Sequence, residues 1–133
     1  MKAARNDGAG TLKIVYDFAV DGGAISSIGT GVFIPDNAIV KESMIHVLTT
    51  CTSATDAATI AITSTDVTVD AAVAISAVGD VWDAAVPRVG DHVNATAGSW
   101  EVTTSRQEIS VVIAVEAVTA GKFVAFIDYK LSE

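Results

Sequence analysis

The chain has 133 residues, half of them apolar, a single cysteine and a formal net charge of −8. That length supports one domain with its own core and no metal or disulfide to hold it, and a mean hydropathy of +0.48 excludes a disordered chain. Sixteen acids against eight bases argue against a phosphate-binding surface, and so against nucleic acid as a partner.

Val, Ile and Thr number 19, 12 and 14, about a third of the chain, which points to strands. Residues 1–10 hold Lys2, Arg5, Gly8 and Gly10 without periodicity. They are expected to be a flexible N-terminal arm, ordered by what it binds. The remainder, 11–133, reads as one domain. Leu12, Ile14, Tyr16, Phe18 and Val20 alternate with Lys13, Val15, Asp17 and Ala19. This predicts a strand ended by the turn Asp21-Gly22-Gly23. Ile28 to Ile34 is a second extended run, stopped by Pro35-Asp36-Asn37. Residues 39–51 predict a longer strand, bent near Glu42-Ser43. Thr52 to Asp56 predict a loop, and Ala58, Ile60 and Ile62 mark the next strand. After a turn at Thr65-Asp66 a short run covers Val67 to Val69. Asp70 to Val78 leaves two readings open. One is a short helix with Asp70 as N-cap and Gly79 past its end; the other is an irregular strand. Residues 80–98, rich in Gly, Asp and Asn, predict a long excursion with short strand pieces. Trp100 to Thr103 and Glu108 to Val115 predict strands. Thr119-Ala120-Gly121-Lys122 predicts a hairpin turn, and Phe123 to Leu131 the last strand.

About eight short strands and at most one short helix suggest an all-β sandwich or barrel, with jelly-roll and immunoglobulin-like orders both open. The first and last strands alternate most cleanly and are expected to pair in one sheet, with the termini at one end. Val15, Val124 and Phe126 stand opposite the core sets of their strands. Apolar residues there predict edge packing or an interface, and point to a closed symmetric oligomer. The basic start MKAARNDGAG has no apolar stretch behind it and is not expected to be a signal peptide. The run Val111 to Val115 is too short for a membrane span, so the expectation is a soluble protein made in a cytoplasm.

No constellation points to an enzyme. His46, between Ile45 and Val47, reads as a partly buried core or interface histidine, and His92 as a solvated one. Neither stands in a zinc-ligand pattern. Cys51 closes an apolar strand and reads as a small buried hydrophobe, with no basic neighbour in sequence to activate it. Gly29-Thr30-Gly31 lacks the rest of a dinucleotide fingerprint and reads as a bulge or close approach. No G-x-S-x-G elbow occurs. Asp80, Asp83 and Asp91 share one excursion but form no D-x-D-x-D-G loop, so solvated turn aspartates are expected. Asn94-Ala95-Thr96 matches a glycosylation sequon, expected to be chance without a secretion signal. Trp82 and Trp100 could stack on a sugar. In a chain so poor in aromatics they are expected as core or subunit-interface anchors, and Phe126 joins them as an interface candidate. No metal or other cofactor is expected.

Several segments carry a resemblance. They are Tyr16-Asp17-Phe18-Ala19-Val20-Asp21-Gly22-Gly23-Ala24, Ile34-Pro35-Asp36-Asn37-Ala38-Ile39-Val40, Val47-Leu48-Thr49-Thr50 with Thr52-Ser53, Asp56-Ala57-Ala58-Thr59-Ile60-Ala61, and Val118-Thr119-Ala120-Gly121-Lys122-Phe123. Over about residues 14–131 the chain resembles small virion proteins of tailed bacteriophages, and among them capsid decoration, or cement, proteins. The resemblance implies a compact jelly-roll-like β-sandwich with no active site. It implies a homotrimer on the outer surface of the phage head, with the major capsid protein as partner. Lys2 and Arg5 then become candidate capsid-binding residues on the arm. A head or tail fibre domain and a carbohydrate-binding module using Trp82 or Trp100 are the alternative readings.

Overall fold

A computed structural model of the chain describes residues 9–76, 81–84, 87–91 and 100–132. In chain order the strands are β1 (Ala9–Asp17), β2 (Ser26–Ile34), β3 (Ala38–Ser53), β4 (Thr59–Thr63), β5 (Thr68–Ala74), β6 (Arg88–Val89), β7 (Gln107–Ala114) and β8 (Val118–Leu131). One helical turn, α1 (Phe18–Asp21), lies between β1 and β2. The strands form two four-stranded sheets, β1-β8-β3-β6 and β2-β7-β4-β5. All pairings within them are antiparallel. Only β4 and β5 follow one another within a sheet; every other link changes sheet. The β-rich composition is therefore realised as an all-β sandwich with one short helix.

Side chains alternate across each strand, and one set from each sheet fills the space between them. Ile14 and Tyr16 of β1, Ile45 and Cys51 of β3, and Phe123, Ala125 and Ile127 of β8 meet Ile60, Ile62, Ile109 and Ile113 of the other sheet. All are essentially inaccessible to solvent. The Tyr16 ring packs 5.3 Å from that of Phe123, and its hydroxyl donates to the Gly22 carbonyl at 2.6 Å. Burial, with Cys51, Asp21 and Asp17 nearby, pushes the Tyr16 phenol up to about 12. β1 and β8 pair in unbroken register from Ala9–Lys130 to Asp17–Lys122, so the first and last strands do share a sheet. β1 starts at Ala9, two residues ahead of the strand expected from Thr11. β3 carries a register shift between Val40 and Glu42, which puts its bulge next to the expected bend.

Three local expectations are corrected, and one left open is decided. The alternation through Val20 does not continue as strand beyond Asp17. The Asp17 carboxylate accepts from the Ala19 N–H at 3.0 Å as an N-cap, Asp21 accepts from the Asp17 N–H at 2.9 Å, and Gly22 ends the turn at φ 76°. These local bonds override the period-2 pattern. Asp70 caps no helix but lies fully buried in β5, so the strand reading of that segment holds to Ala74; residues 77–80 lie outside the described residues. Thr119 to Lys122 is no hairpin, because β8 runs through it paired with β3. Gly121 sits there at φ 146°, where a Cβ would come 2.6 Å from the Cys51 sulfur. The chain turns earlier, at Val115, which has φ 71°. Trp100 to Thr103 forms no ladder strand either. Val102 makes a single bridge to Ile39, and Thr103 exchanges backbone bonds with Asn37 and Ala38.

One buried polar cluster fastens residues 81–84 and 87–91 to the sheets. The Arg88 guanidinium donates to both Asp70 oxygens at 3.2 and 2.9 Å and to the Val81 carbonyl at 3.0 Å. Asp70 also accepts from the Asp91 N–H at 2.8 Å. The guanidinium lies 4.8 Å over the Trp82 ring, whose N–H donates to the Val73 carbonyl. A carboxylate with no solvent access is tolerable only with such a bidentate partner and further donors.

Candidate interaction surface

The pleat that turns Phe123, Ala125 and Ile127 into the core turns Val124, Phe126 and Asp128 outward. Register then assembles rows across the outer face of the β1-β8-β3-β6 sheet. Lys13, Phe126, Met44 and Val89 form one row, and Val15, Val124 and His46 the next. Beyond them Thr11, Asp128 and Glu42 line up, with the Thr11 hydroxyl donating to Asp128 at 2.9 Å. The last row joins Lys130, Ile39 and Val102. Trp100 follows on the same side, because Thr103, one residue beyond Val102, points inward. At the opposite end Lys122 stands 3.9 Å from Asp17.

Val15, Met44, Leu48, Val89, Trp100 and Val102 are six of the ten large exposed hydrophobics among the described residues, and all belong to this face. The face also carries Lys13, Lys41, Lys122 and Lys130 against Asp17, Glu42 and Asp128, a net charge of +1 in a chain of −8. Near its Ala9 end a shallow cleft of about 400 Å³ opens between Thr11, Lys41, Asp128 and Lys130. Lys13 also reaches over the Phe126 ring, 5.9 Å from its centroid.

The residues expected at an interface separate cleanly here. Phe126 and Trp100 lie on this one face, half-buried and 60% exposed respectively. Trp82 does not join them. It is 0% exposed and packs 5.0 Å from Phe123, so it anchors the core and offers nothing to a neighbouring subunit. His46 is half-buried on the face beside Val124. Cys51 is buried, and burial with Asp83 nearby pushes its thiol up to about 12. Lys2 and Arg5 lie outside the described residues, as do Asp80, His92 and Asn94. Met44, Leu48 and Val89 join the face, although none of them is among the interface candidates expected from the sequence. For the first two a signal exists: once Ile45 and Val47 are taken as core, Met44, His46 and Leu48 are forced to the other side. Val89 has none, because its place depends on the distant Asp70–Arg88 pair.

Among the described residues no three of His, Cys, Asp and Glu gather as metal ligands, and no helix is long and apolar enough to cross a membrane. No family model and no curated protein matches the chain. Solved structures do match in fold. A chain of the acidic stable capsid structure of Helicobacter pylori bacteriophage KHP30 is similar with a TM-score of 0.63 at 16% identity, over 94% of this chain and 89% of that one. A chain of the capsid of Ralstonia phage GP4 is similar with a TM-score of 0.55 at 16% identity, over 100% of this chain and 92% of that one. Both neighbours come from phage capsids. Each is matched over nearly its whole length, so the likeness is to a complete sandwich, and it is a likeness of fold.

Proposed function

We propose that the protein is a non-enzymatic structural component of a phage virion, a decoration protein that binds the outside of the head and ties neighbouring capsomers together. The observation that carries this reading is the whole-chain likeness to chains from two phage capsids. The sheet orders β1-β8-β3-β6 and β2-β7-β4-β5 are read as a jelly roll, an architecture used in viral capsid domains. A cement protein needs a stable core and adhesive surfaces, and the apolar outer face of one sheet supplies such a surface. The protein works as a homotrimer with the major capsid protein as partner. The N-terminal arm with Lys2 and Arg5 contacts that partner, and three such arms per trimer add avidity.

The test is co-sedimentation with heads of the encoding phage assembled without this protein. Binding should saturate at a fixed copy number and raise the temperature at which packaged DNA escapes. Heads that leave the protein in the supernatant at every concentration refute the reading. A variant lacking residues 1–8, which stops short of β1, should fold normally and lose binding; full binding by that variant removes the arm from the mechanism.

A further inference from the structure

We propose that the open edge of β1 is a docking site for an extended segment of another protein, which adds to the β1-β8-β3-β6 sheet as a further strand. The strand order leaves β1 and β6 at the edges of one sheet and β2 and β5 at the edges of the other. A long edge with free N–H and C=O groups invites another strand, and folds usually blunt such edges. Three of the four are blunted here. β6 is short, and beside it the β3 edge is filled. The Val40 N–H donates to the Glu101 carbonyl at 3.3 Å, the Gly90 N–H to the Ser43 carbonyl at 2.9 Å and the Cys51 N–H to the Trp82 carbonyl at 2.9 Å. On β5 the Thr68 N–H donates to the Glu101 carboxylate at 3.0 Å and the Ala71 N–H to the Asp91 carbonyl at 2.8 Å. β2 is broken by a register shift between Gly29 and Phe33, where the Gly31 N–H donates to the Glu108 carboxylate at 2.9 Å. β1 has none of these devices. It runs for nine residues in unbroken register. Among the described residues, no bond outside the β8 ladder reaches its backbone before Asp17.

Register identifies the free groups. The Asp17 N–H donates to the Asp21 carboxylate at 2.9 Å, so Asp17 faces away from β8. Along an antiparallel pair such residues alternate with bonded ones. The N–H and C=O groups of Ala9, Thr11, Lys13 and Val15 therefore lie on the open edge. The far side of the sheet agrees. The Ser43 carbonyl points to Gly90 and away from Ile127, its partner in register, which turns Ile127 to Leu12 on β1. Seven residues of such an edge span about 24 Å, and their spacing matches an extended chain, which bonds outside itself. Side chains define the strand further. Leu12, with Ile28 and Val32 on the neighbouring β2, is only partly buried against the core, so inward positions of the added strand are apolar. Lys13 is exposed on the outer side and calls for a carboxylate opposite it. A second copy does not supply one, because antiparallel pairing of β1 with β1 over its full length sets Lys13 against Lys13. The donor is a different protein and, on the virion reading above, a protein of the phage head. Only the donor's identity rests on that reading.

Amide exchange followed by NMR tests the edge directly. In the free protein the Thr11, Lys13 and Val15 amides should exchange about tenfold faster or more than those of Leu12, Ile14 and Tyr16. A capped nine-residue peptide, Thr and Val in alternation with Asp at its centre, should slow those three by about tenfold or more. Equal protection of the two sets in the free protein overturns the proposal, and so does a peptide that leaves the three amides unchanged. Lys13→Pro deletes a free N–H and no ladder bond, which an edge strand tolerates. It should fold and lose peptide binding, whereas Lys13→Ala, which keeps the N–H, should retain it. Equal losses in the two variants would assign the contact to the side chain and overturn the added strand. Should the Pro variant fail to fold, exchange in the wild type decides without it. Co-sedimentation then tests the donor: heads should retain Lys13→Ala and lose Lys13→Pro, and equal retention of both removes the head protein as donor. A wild type that takes the peptide but ignores the heads refutes the virion reading and leaves the edge site standing.

Discussion

Across its outer side the β2-β7-β4-β5 sheet sets Ser27, Val112 and Ala61 in one row and Gly29, Ser110 and Thr63 in the next. The β1-β8-β3-β6 sheet sets Lys13, Phe126, Met44 and Val89 in one row and Val15, Val124 and His46 in the next. The inner faces are alike in their rows of Ile and Val, with Tyr16 and Phe123 added by the β1-β8-β3-β6 sheet, because closing a sandwich demands an apolar inner face of both sheets. Nothing in folding demands an apolar outer face. The difference therefore separates the residues that make this protein fold from those available for contact with something else. It also depends on register. A one-residue slip of β8 would send Phe123, Ala125 and Ile127 outward and bring Val124 and Phe126 in.

The largest expected effect comes from undoing the buried pair that ties residues 81–84 and 87–91 to this framework. Asp70→Ala leaves the Arg88 guanidinium without its carboxylate, and should cost about 3–5 kcal/mol in urea unfolding. It should also release Val89 from the outer face. The double variant Asp70→Leu with Arg88→Met should be much nearer the wild type, since the pair is needed mainly because each charge is buried with the other. A single variant that unfolds at the wild-type urea midpoint would show that the cluster fastens nothing. Next is Gly121, where the register of β8 on β3 shifts. Gly121→Ala must hold a side chain at φ 146° against Cys51, at about 1–3 kcal/mol. The Cys51 thiol reports the same contact. Buried and pushed up to about 12, it should be inert to thiol reagents at pH 8 in the native wild type and react in the Ala variant.

A matched pair of surface changes sharpens the contrast between faces. Met44→Ser and Val112→Ser should each alter unfolding free energy by less than about 1 kcal/mol, as changes outside the core do. Only Met44→Ser should lower the solution mass. Equal effects of the two on mass would erase the distinction between the faces.

What is legible in the chain follows the same division. β1 and β8 are readable because Ile14 and Tyr16, or Phe123, Ala125 and Ile127, recur at every second position between turn-forming or charged residues, a signal held within a few residues. Phe126 is readable as a surface residue for the same reason. α1 is hidden because Asp17 and Asp21 bind backbone N–H groups at short range, a competition that hydrophobic period does not register. The role of Asp70 depends on Arg88, eighteen residues further along the chain across a stretch rich in Ala and Val. The two tryptophans divide on contacts that are distant in sequence: Trp82 meets Phe123, whereas Trp100 stands just before the single bridge of Val102 to Ile39. Residue type alone does not distinguish them.

The smallest effect concerns Glu116, on the link between β7 and β8. Side-chain hydrogen bonds from Ser53 and Thr55, with the Thr55 N–H, hold the Glu116 carboxyl down at about 2, against an ordinary value of 4.5. The folded value lies below the unfolded one, so the carboxylate stabilises the fold above pH 4.5, and that contribution is lost as pH falls towards 2. Glu116→Gln should therefore lower the melting temperature slightly at pH 7, by about two degrees or less for a solvent-facing group. The gap should close as both proteins are acidified. Asp66, held low by the Thr104 N–H and hydroxyl and by Gln107, titrates in both and cancels in the difference. A gap that stays constant from pH 7 to pH 2 would mean that Glu116 acts through packing and not through its charge.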